Sequence, residues 1–251
     1  MSSFQPPFSN TQELERSIAQ TGFALLSPHS VEGLSGQSSN TWQLLASSWN
    51  DLAPDQYLKD GGRYRKRKHS SIVVTGDHTQ LMTHRAHWQP ISYNALHGGI
   101  DRWFEPCSSD FINSPALQHL LINLCKHFSA LKQVNPANSP WYVEVHQFRI
   151  DTTDGIGRPT PEGAHRDGVD FVGVMLINRQ QIKGGETRVF RNESPEGQRF
   201  TLEEPLSLLI LDDEKVIHET TPIQPIDHSE QLSCRDTLVL TFRLKGFQDK
   251  A

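Results

Sequence analysis

The feature that most constrains this chain is a series of short strand-like segments after residue 140. Each segment is rich in aromatic and β-branched residues and is bounded by turn residues, as strands are. The segments are 141–150, 171–177, 186–190, 206–211, 215–220 and 237–244. Many short strands separated by turns are typical of sandwiches and barrels, so the sequence predicts such a sheet structure as the C-terminal core.

The first 139 residues have a mixed and mostly helical pattern. Helices are predicted over 11–20, 39–50 and 114–131, and a short strand over 23–26. The third helix is the clearest, because its Leu and Phe residues recur at steps of three and four. We therefore expect an α+β protein with a mainly β core. No linker or repeat divides the chain, so a single domain over 1–251 is predicted, with its core in 140–246.

Composition excludes several classes of protein. A formal net charge of −5 disfavours a general nucleic-acid partner. No apolar run approaches the ~18 residues that a membrane span needs, and residues 1–10 have neither the basic nor the apolar part of a signal peptide. Three widely spaced cysteines suit a reducing compartment better than a disulfide framework. We expect a cytoplasmic protein that binds neither nucleic acid nor membrane.

The most informative residues are His165 and Asp167, which are separated by one position. On an extended segment, alternate residues point to the same face. Two histidines and one carboxylate on one face of a metal are the ligands of non-haem Fe(II) oxygenases. A bare H-x-D pair is more often two surface residues, so the third ligand matters. His218 on a later strand is the best candidate, and His228 is the alternative.

A set of short motifs extends over roughly residues 50–244. They are Ala164-His-Arg-Asp-Gly168 with the apolar run that follows it to Asn178, Gly184-Gly-Glu-Thr187, Asp60-Gly-Gly-Arg-Tyr-Arg65, Tyr93-Asn94, Gly98-Gly99, Arg102-Trp-Phe104 and Glu144-Val-His-Gln-Phe-Arg149. Together they resemble the bacterial 2-oxoglutarate/Fe(II) dioxygenase family that includes L-isoleucine 4-hydroxylase. Members of that family hydroxylate free or N-substituted aliphatic L-amino acids.

The resemblance implies a fold, a metal and a reaction. The fold would be a double-stranded β-helix, the cupin-like jelly roll, with helices packed outside. His165, Asp167 and His218 would bind Fe(II), with 2-oxoglutarate and O2 as co-substrates. The reaction would hydroxylate an aliphatic C–H of a free amino acid resembling isoleucine, leucine or methionine, releasing succinate and CO2. The same chemistry on a peptide, a carrier-bound residue or another small molecule is the alternative. The complete triad and a following arginine argue against a non-catalytic jelly-roll binding module.

The resemblance also predicts an anchor for 2-oxoglutarate. The distal carboxylate of 2-oxoglutarate needs two neighbouring hydrogen-bond donors, which the guanidinium of arginine provides. In this superfamily the arginine opens the last core strand, often with Ser or Thr two residues later. Arg235 and Thr237 match that pattern and share a strand face. The segment between His218 and Arg235 is long, and Arg243, on the same face, is the alternative anchor.

A third prediction concerns the substrate. The carboxylate of a free amino acid needs a cationic or hydrogen-bonding partner once water is displaced. Arg63 and Arg65 open the strongest basic run of the chain and would point the same way on an extended segment. We predict that one or both bind the substrate carboxylate. Otherwise the run is a solvated edge strand, and Arg102 or Arg149 would take that role.

Other histidines are weaker candidates. His84 and His87 are three residues apart, but Gln89 and Pro90 follow at once and no apolar pattern supports a helix there. His146 lies on a predicted core strand, where a satisfied structural histidine is the more common outcome. These residues are therefore not predicted to touch the active site.

Overall fold

The computed structural model describes residues 7–94, 96–192, 194, 196–227 and 232–250. Its helices within these residues are α1 (Leu14–Thr21), α2 (Pro28–Ser35), α3 (Ser39–Ala46), α4 (Ser109–Ile112) and α5 (Pro115–Lys132), with 3₁₀ turns at Thr11–Glu13 and Ser47–Asp51. Its strands are β1 (Phe8–Ser9), β2 (Phe23–Leu26), β3 (Arg65–Thr75), β4 (His78–Leu81), β5 (Trp141–Asp151), β6 (Phe171–Gln180), β7 (Ile182–Gly184), β8 (Glu186–Arg191), β9 (Gly197–Thr201), β10 (Leu208–Asp212), β11 (Val216–Thr220), β12 (Ile223–Pro225) and β13 (Cys234–Arg243).

Most of these strands belong to one large sheet. Its eight strands run in the order β1-β2-β10-β6-β13-β5-β3-β4. A smaller sheet has the order β11-β8-β9, and β12 pairs with β7 in a two-stranded ribbon. Apolar side chains of the two larger sheets pack together, among them Leu25, Val172 and Leu209 from the large sheet and Val189, Phe200 and Val216 from the small one. The two sheets therefore face each other across an interior, as in a jelly roll.

The outer face of the large sheet is covered by helices. Side chains alternate along β6, so Val172 faces the smaller sheet while Phe171 faces α5. The rings of Phe128 on α5 and Phe171 are stacked with centroids 4.2 Å apart. The Ser114 side chain accepts a hydrogen bond from the backbone N–H of Leu117 and so caps the start of α5. The mainly β core with flanking helices confirms the predicted fold class.

The two parts of the chain on either side of residue 140 share the large sheet. Strands β2 and β3 from the first part lie in the same sheet as β5, β6, β10 and β13 from the second. The predicted elements are present with small changes at their ends. Elements that the sequence did not predict are α2, α4, β1, β3, β4, β7, β9 and β12. Among the described residues, no helix has the combination of length and apolar character needed to cross a membrane.

The basic run is not a solvated edge, so that alternative is wrong. Arg65, Arg67 and Lys68 are 6%, 4% and 7% exposed. The outer edge of β3 is covered by loop backbone: the Arg65 carbonyl accepts from the N–H of Asp55, and the Arg67 N–H donates to Ala53. The first residues of β3 are therefore paired along both edges of the strand, and no open edge faces solvent there.

Candidate active site

His165, Asp167 and His218 lie together at the mouth of the interior between the sheets. Their potential ligand atoms are all within 4.8 Å of one another. The His165 Nε2 atom is 3.8 Å from Asp167 Oδ1, and His218 Nε2 is 4.0 Å from Asp167 Oδ2. The two histidines also exchange a pair of backbone hydrogen bonds, both of 3.0 Å. The fold therefore brings the predicted H-x-D pair and the later histidine to one point.

His165 and Asp167 lie on a loop rather than on the extended strand that the spacing predicted. Gly163 and Gly168 on either side have left-handed φ values of 79° and 77°, which a strand does not accommodate. The backbone N–H groups of Asp167, Gly168 and Val169 donate to the buried Asp213 carboxylate instead of to a sheet partner. Asp213 thus fixes the loop, and a short bridge between His165 and His218 joins it to β11.

The hydrogen bonds around the triad leave ligand atoms free. The His165 Nδ1 group donates to the Gly163 carbonyl at 2.9 Å, so its Nε2 lone pair is available. Burial and the neighbouring His165 lower the pKa of His218 to about 4, so that its imidazole is neutral near pH 7. The Gln89 amide donates to one oxygen of Asp167. Two imidazoles and a carboxylate aimed at one cavity fit Fe(II) with further positions open. His228, the alternative ligand, lies outside the described residues.

Arg235 and Thr237 line the same cavity from β13. Arg235 is 3% exposed, and its Nε and Nη2 atoms have no hydrogen-bond partner within the described part of the chain. Burial lowers the pKa of this guanidinium to about 10, so it stays charged near pH 7. A buried charge with unused donors fits the distal carboxylate of 2-oxoglutarate. Arg243 is not in the cavity lining and donates to the Gly246 carbonyl.

Arg63 and Arg65 do not share an environment. The Arg63 side chain is 76% exposed and lies outside the cavity lining. The Asp154 carboxylate accepts from both its backbone and its guanidinium, which holds Arg63 against a surface loop just before β3 begins. Arg65 does line the cavity, but its Nε group donates to the buried Asp55 carboxylate at 2.7 Å.

Sequence reasoning missed part of this cavity. His87, Gln89 and Arg102 line it from the segment between β4 and α4, and His146 lines it from β5. Arg67 lines it as well. Arg102 and His146 lie within motifs of the family resemblance, which was the signal available for them, and Arg102 was already an alternative for the substrate carboxylate. Two further residues stay outside the lining: His84 bonds to the Phe104 carbonyl, and Arg149 pairs with Asp236 at 2.7 Å.

Comparisons with known proteins agree with this geometry. The family model described as 2OG-Fe dioxygenase matches residues 46–241. The crystal structure of a bsmA homolog from Methylobium petroleophilum PM1 is 48% identical, with 97% of each chain covered and a TM-score of 0.91. The chain therefore belongs to the 2OG-Fe dioxygenase family, whose members use Fe(II), 2-oxoglutarate and O2.

More distant structures resemble this chain in fold alone. IDO from Bacillus thuringiensis is 20% identical, covers 93% of this chain and 99% of its own, and has a TM-score of 0.73. The Fe(II)/α-ketoglutarate-dependent dioxygenase TqaL is 16% identical, with coverages of 92% and 86% and a TM-score of 0.67. A search of curated proteins found no match.

Proposed function

We propose that this dioxygenase hydroxylates an aliphatic C–H of a free L-amino acid that resembles isoleucine, leucine or methionine. His165, Asp167 and His218 would hold the Fe(II). Arg235, with Thr237 beside it on β13, would hold the distal carboxylate of 2-oxoglutarate. When bound, the metal and co-substrate supply the oxidation of the C–H bond with release of succinate and CO2. The residues of the chain orient the substrate and keep water out.

The observation that supports an amino-acid substrate is the charge pattern of the cavity. Glu162 lines it with a buried Oε2 atom that has no hydrogen-bond partner among the described residues. Unpartnered guanidinium nitrogens line the same cavity. The other oxygen of Glu162 lies 3.7 Å from His165 Nε2. A carboxylate with one free oxygen together with free guanidinium nitrogens suits the ammonium and carboxylate groups of a zwitterion, since buried charges require partners.

Apolar residues complete the argument for an aliphatic side chain. Ile150, Val174 and Val239 contribute to the cavity lining on adjacent strands of the large sheet. They provide an apolar surface beside the triad, on which an aliphatic chain would be positioned with one carbon closest to the metal. A displacement of about 1 Å can cost ~10²-fold in rate in such positioned chemistry, so these residues would select the carbon that reacts.

Substrate-dependent formation of succinate tests the proposal. The purified enzyme would be supplied with Fe(II), 2-oxoglutarate and O2, and succinate would be measured across the free amino acids. The expected result is strong stimulation by one or a few aliphatic amino acids, with a hydroxylated product in equal amount. Stimulation only by peptides or carrier-bound residues would contradict the proposal and favour the alternative substrates.

We also propose that the enzyme works in the cytoplasm. Cys107, Cys125 and Cys234 are all buried free thiols. Free thiols are typical of proteins in a reducing compartment. Fractionation of cells followed by immunodetection tests this location, and recovery in an oxidising compartment would contradict it.

A further inference from the structure

We infer that Arg67 and Arg102 form the subsite that binds the carboxylate of the substrate. The inference rests on the proposed function and deepens it. The sequence predicted Arg63 or Arg65 for the substrate carboxylate, with Arg102 or Arg149 as alternatives. Arg63 lies outside the cavity lining, and Arg65 and Arg149 are bound to carboxylates of the chain. Arg67 lies on β3, which is separated from β13 and Arg235 by β5. The subsite is therefore distinct from the proposed anchor of 2-oxoglutarate, although all three arginines line the same cavity.

The two arginines differ from their buried neighbours in what holds them. Arg65 is bonded to the Asp55 carboxylate, and Arg149 is bonded to the Asp236 carboxylate. By contrast, the Arg67 Nη2 group contacts His146 Nδ1 at 3.0 Å. The Arg102 Nη2 group donates to the Gln89 amide oxygen at 2.7 Å.

These acceptors are neutral. Glutamine carries no charge, and burial together with nearby Arg67 lowers the pKa of His146 well below its ordinary value. Neither Arg67 nor Arg102 has an ion-pair partner in the part of the chain that the structure describes. Each guanidinium is thus fixed in position without a carboxylate bound directly to it, although Asp55 and Glu144 lie near enough to interact with both charges.

Keeping these charges buried is costly for the free protein. Arg67 and Arg102 are 4% and 2% exposed, and the Nε atom of each has no hydrogen-bond partner among the described residues. Burial lowers the pKa of Arg102 to about 10, and the pKa of Arg67 is lowered by burial and by Arg102. Removing a charge from water without a counter-ion costs free energy. A ligand carboxylate would offset that cost.

Aromatic rings provide partial compensation for Arg67 only. Its guanidinium lies 4.1 Å from the centroid of Phe104 and 4.5 Å from that of Phe148. Such contacts are worth ~0.5–2 kcal/mol and leave the edge of the guanidinium free to donate. A planar guanidinium whose N–H groups are free along one edge is the geometry that recognises carboxylates.

The nearby cluster of His69, His87, Glu144 and His146 does not supply a directly bound counter-ion. The two oxygens of Glu144 are already occupied, one by His87 at 3.0 Å and the other by Arg85 and His69, each at 3.3 Å. The cluster is also a poor metal site. The Arg67 contact makes His146 Nδ1 an acceptor, which puts the proton of the neutral ring on Nε2.

Pairs of amino acids and their amides test the inference. L-isoleucine, L-leucine and L-methionine would each be compared with the corresponding amide, which keeps the ammonium and the side chain but lacks the carboxylate. Succinate formation and calorimetric binding to the anaerobic enzyme with Fe(II) and 2-oxoglutarate would both be measured. We expect the wild type to prefer the acid by about ten- to a hundredfold.

Two variants remove one charge each. Arg102→Gln and Arg67→Met should bind the acid about ten- to a hundredfold more weakly while binding the amide nearly as well as the wild type does. The affinity for 2-oxoglutarate should stay within about twofold of the wild type, because Arg235 is intact. Arg191→Gln, which removes an exposed charge on β8, is the matched control and should retain the preference for the acid.

The possible failures are distinguishable. Equal stimulation by acids and amides, with succinate still formed, would overturn the inference and leave the proposed function standing. Stimulation by none of the three amino acids would overturn both. The melting temperature separates ligand binding from a structural role, because removing a buried charge that has no directly bound counter-ion should leave Tm unchanged or raised. A lower Tm in both variants with an unchanged acid preference would also overturn the inference.

Discussion

The anchor of 2-oxoglutarate provides the most quantitative prediction. Replacing Arg235 by Gln removes a guanidinium that is 3% exposed and has two nitrogens without a partner in the described residues. A carboxylate bound there would accept charged hydrogen bonds, each worth ~1.5–3 kcal/mol. At about 1.4 kcal/mol per factor of ten, loss of one such bond should weaken 2-oxoglutarate binding by roughly ten- to more than a hundredfold.

The assay is anaerobic binding of 2-oxoglutarate to the Fe(II) enzyme, together with its KM in succinate formation. Arg235→Lys is the matched variant, since it keeps the charge but loses the planar fork, and it should fall between the wild type and Arg235→Gln. The binding of the amino-acid substrate should change less than that of 2-oxoglutarate. An unchanged dissociation constant in Arg235→Gln, with a shift in Arg243→Gln, would refute the reasoning and make Arg243 the anchor.

Three further predictions follow from the triad, the buried histidines and the glycine turn. His218→Ala should abolish turnover and leave the circular dichroism spectrum unchanged, and full activity in that variant would exclude His218 as a ligand. Burial lowers the pKa of His87 to about 3 from an ordinary 6.5, so between these values the unfolded chain binds a proton that the folded chain does not. The free energy of unfolding should therefore decrease as the pH is lowered below 6.5. In His87→Gln, Tm should decrease less steeply with pH than in the wild type, and an equally steep decrease would contradict this. Gly185→Ala should lower the free energy of unfolding by more than Gly155→Ala in urea titrations. Gly185 and Gly155 have left-handed φ values of 72° and 81°, which cost alanine ~1–2 kcal/mol at either position. At Gly185 the new Cβ would also lie 3.0 Å from atoms of Ile223 and Arg179, whereas at Gly155 it would meet nothing within 4 Å. Equal losses in the two variants would contradict the steric argument.

Much of the fold was predictable because its strands have strong local signals. Segments such as 171–177 and 237–244 consist of apolar and β-branched residues between turns, and they became β6 and β13. Strand β3 was harder to predict, since its first residues carry the basic run of an apparent solvated edge. Loop backbone around Ala53 and Asp55 covers that edge, and no local pattern in the sequence predicts such pairing over a distance.

The candidate site was also predictable in part. The spacing of His165 and Asp167 together with the family motifs indicated the triad, although the loop conformation depends on Asp213, which is distant in the sequence. Arg102 and His87 could not be placed, because the segment between β4 and α4 has no periodicity that orients a side chain. The sequence also did not show where β3 begins. The predicted pair was Arg63 and Arg65, whereas the strand begins at Arg65 and Arg63 lies just before it.

The central claim is that this chain is an iron dioxygenase acting on a free aliphatic amino acid, and isotopically labelled O2 tests it most directly. The enzyme would be run with Fe(II), 2-oxoglutarate and the amino acid that most stimulates succinate formation, and both products would be examined by mass spectrometry. The expected result is one labelled oxygen in succinate and one in the hydroxyl group of the amino acid, and neither in the Asp167→Ala variant. Label in succinate alone with every amino acid, or label incorporation that persists in the variant, would contradict it.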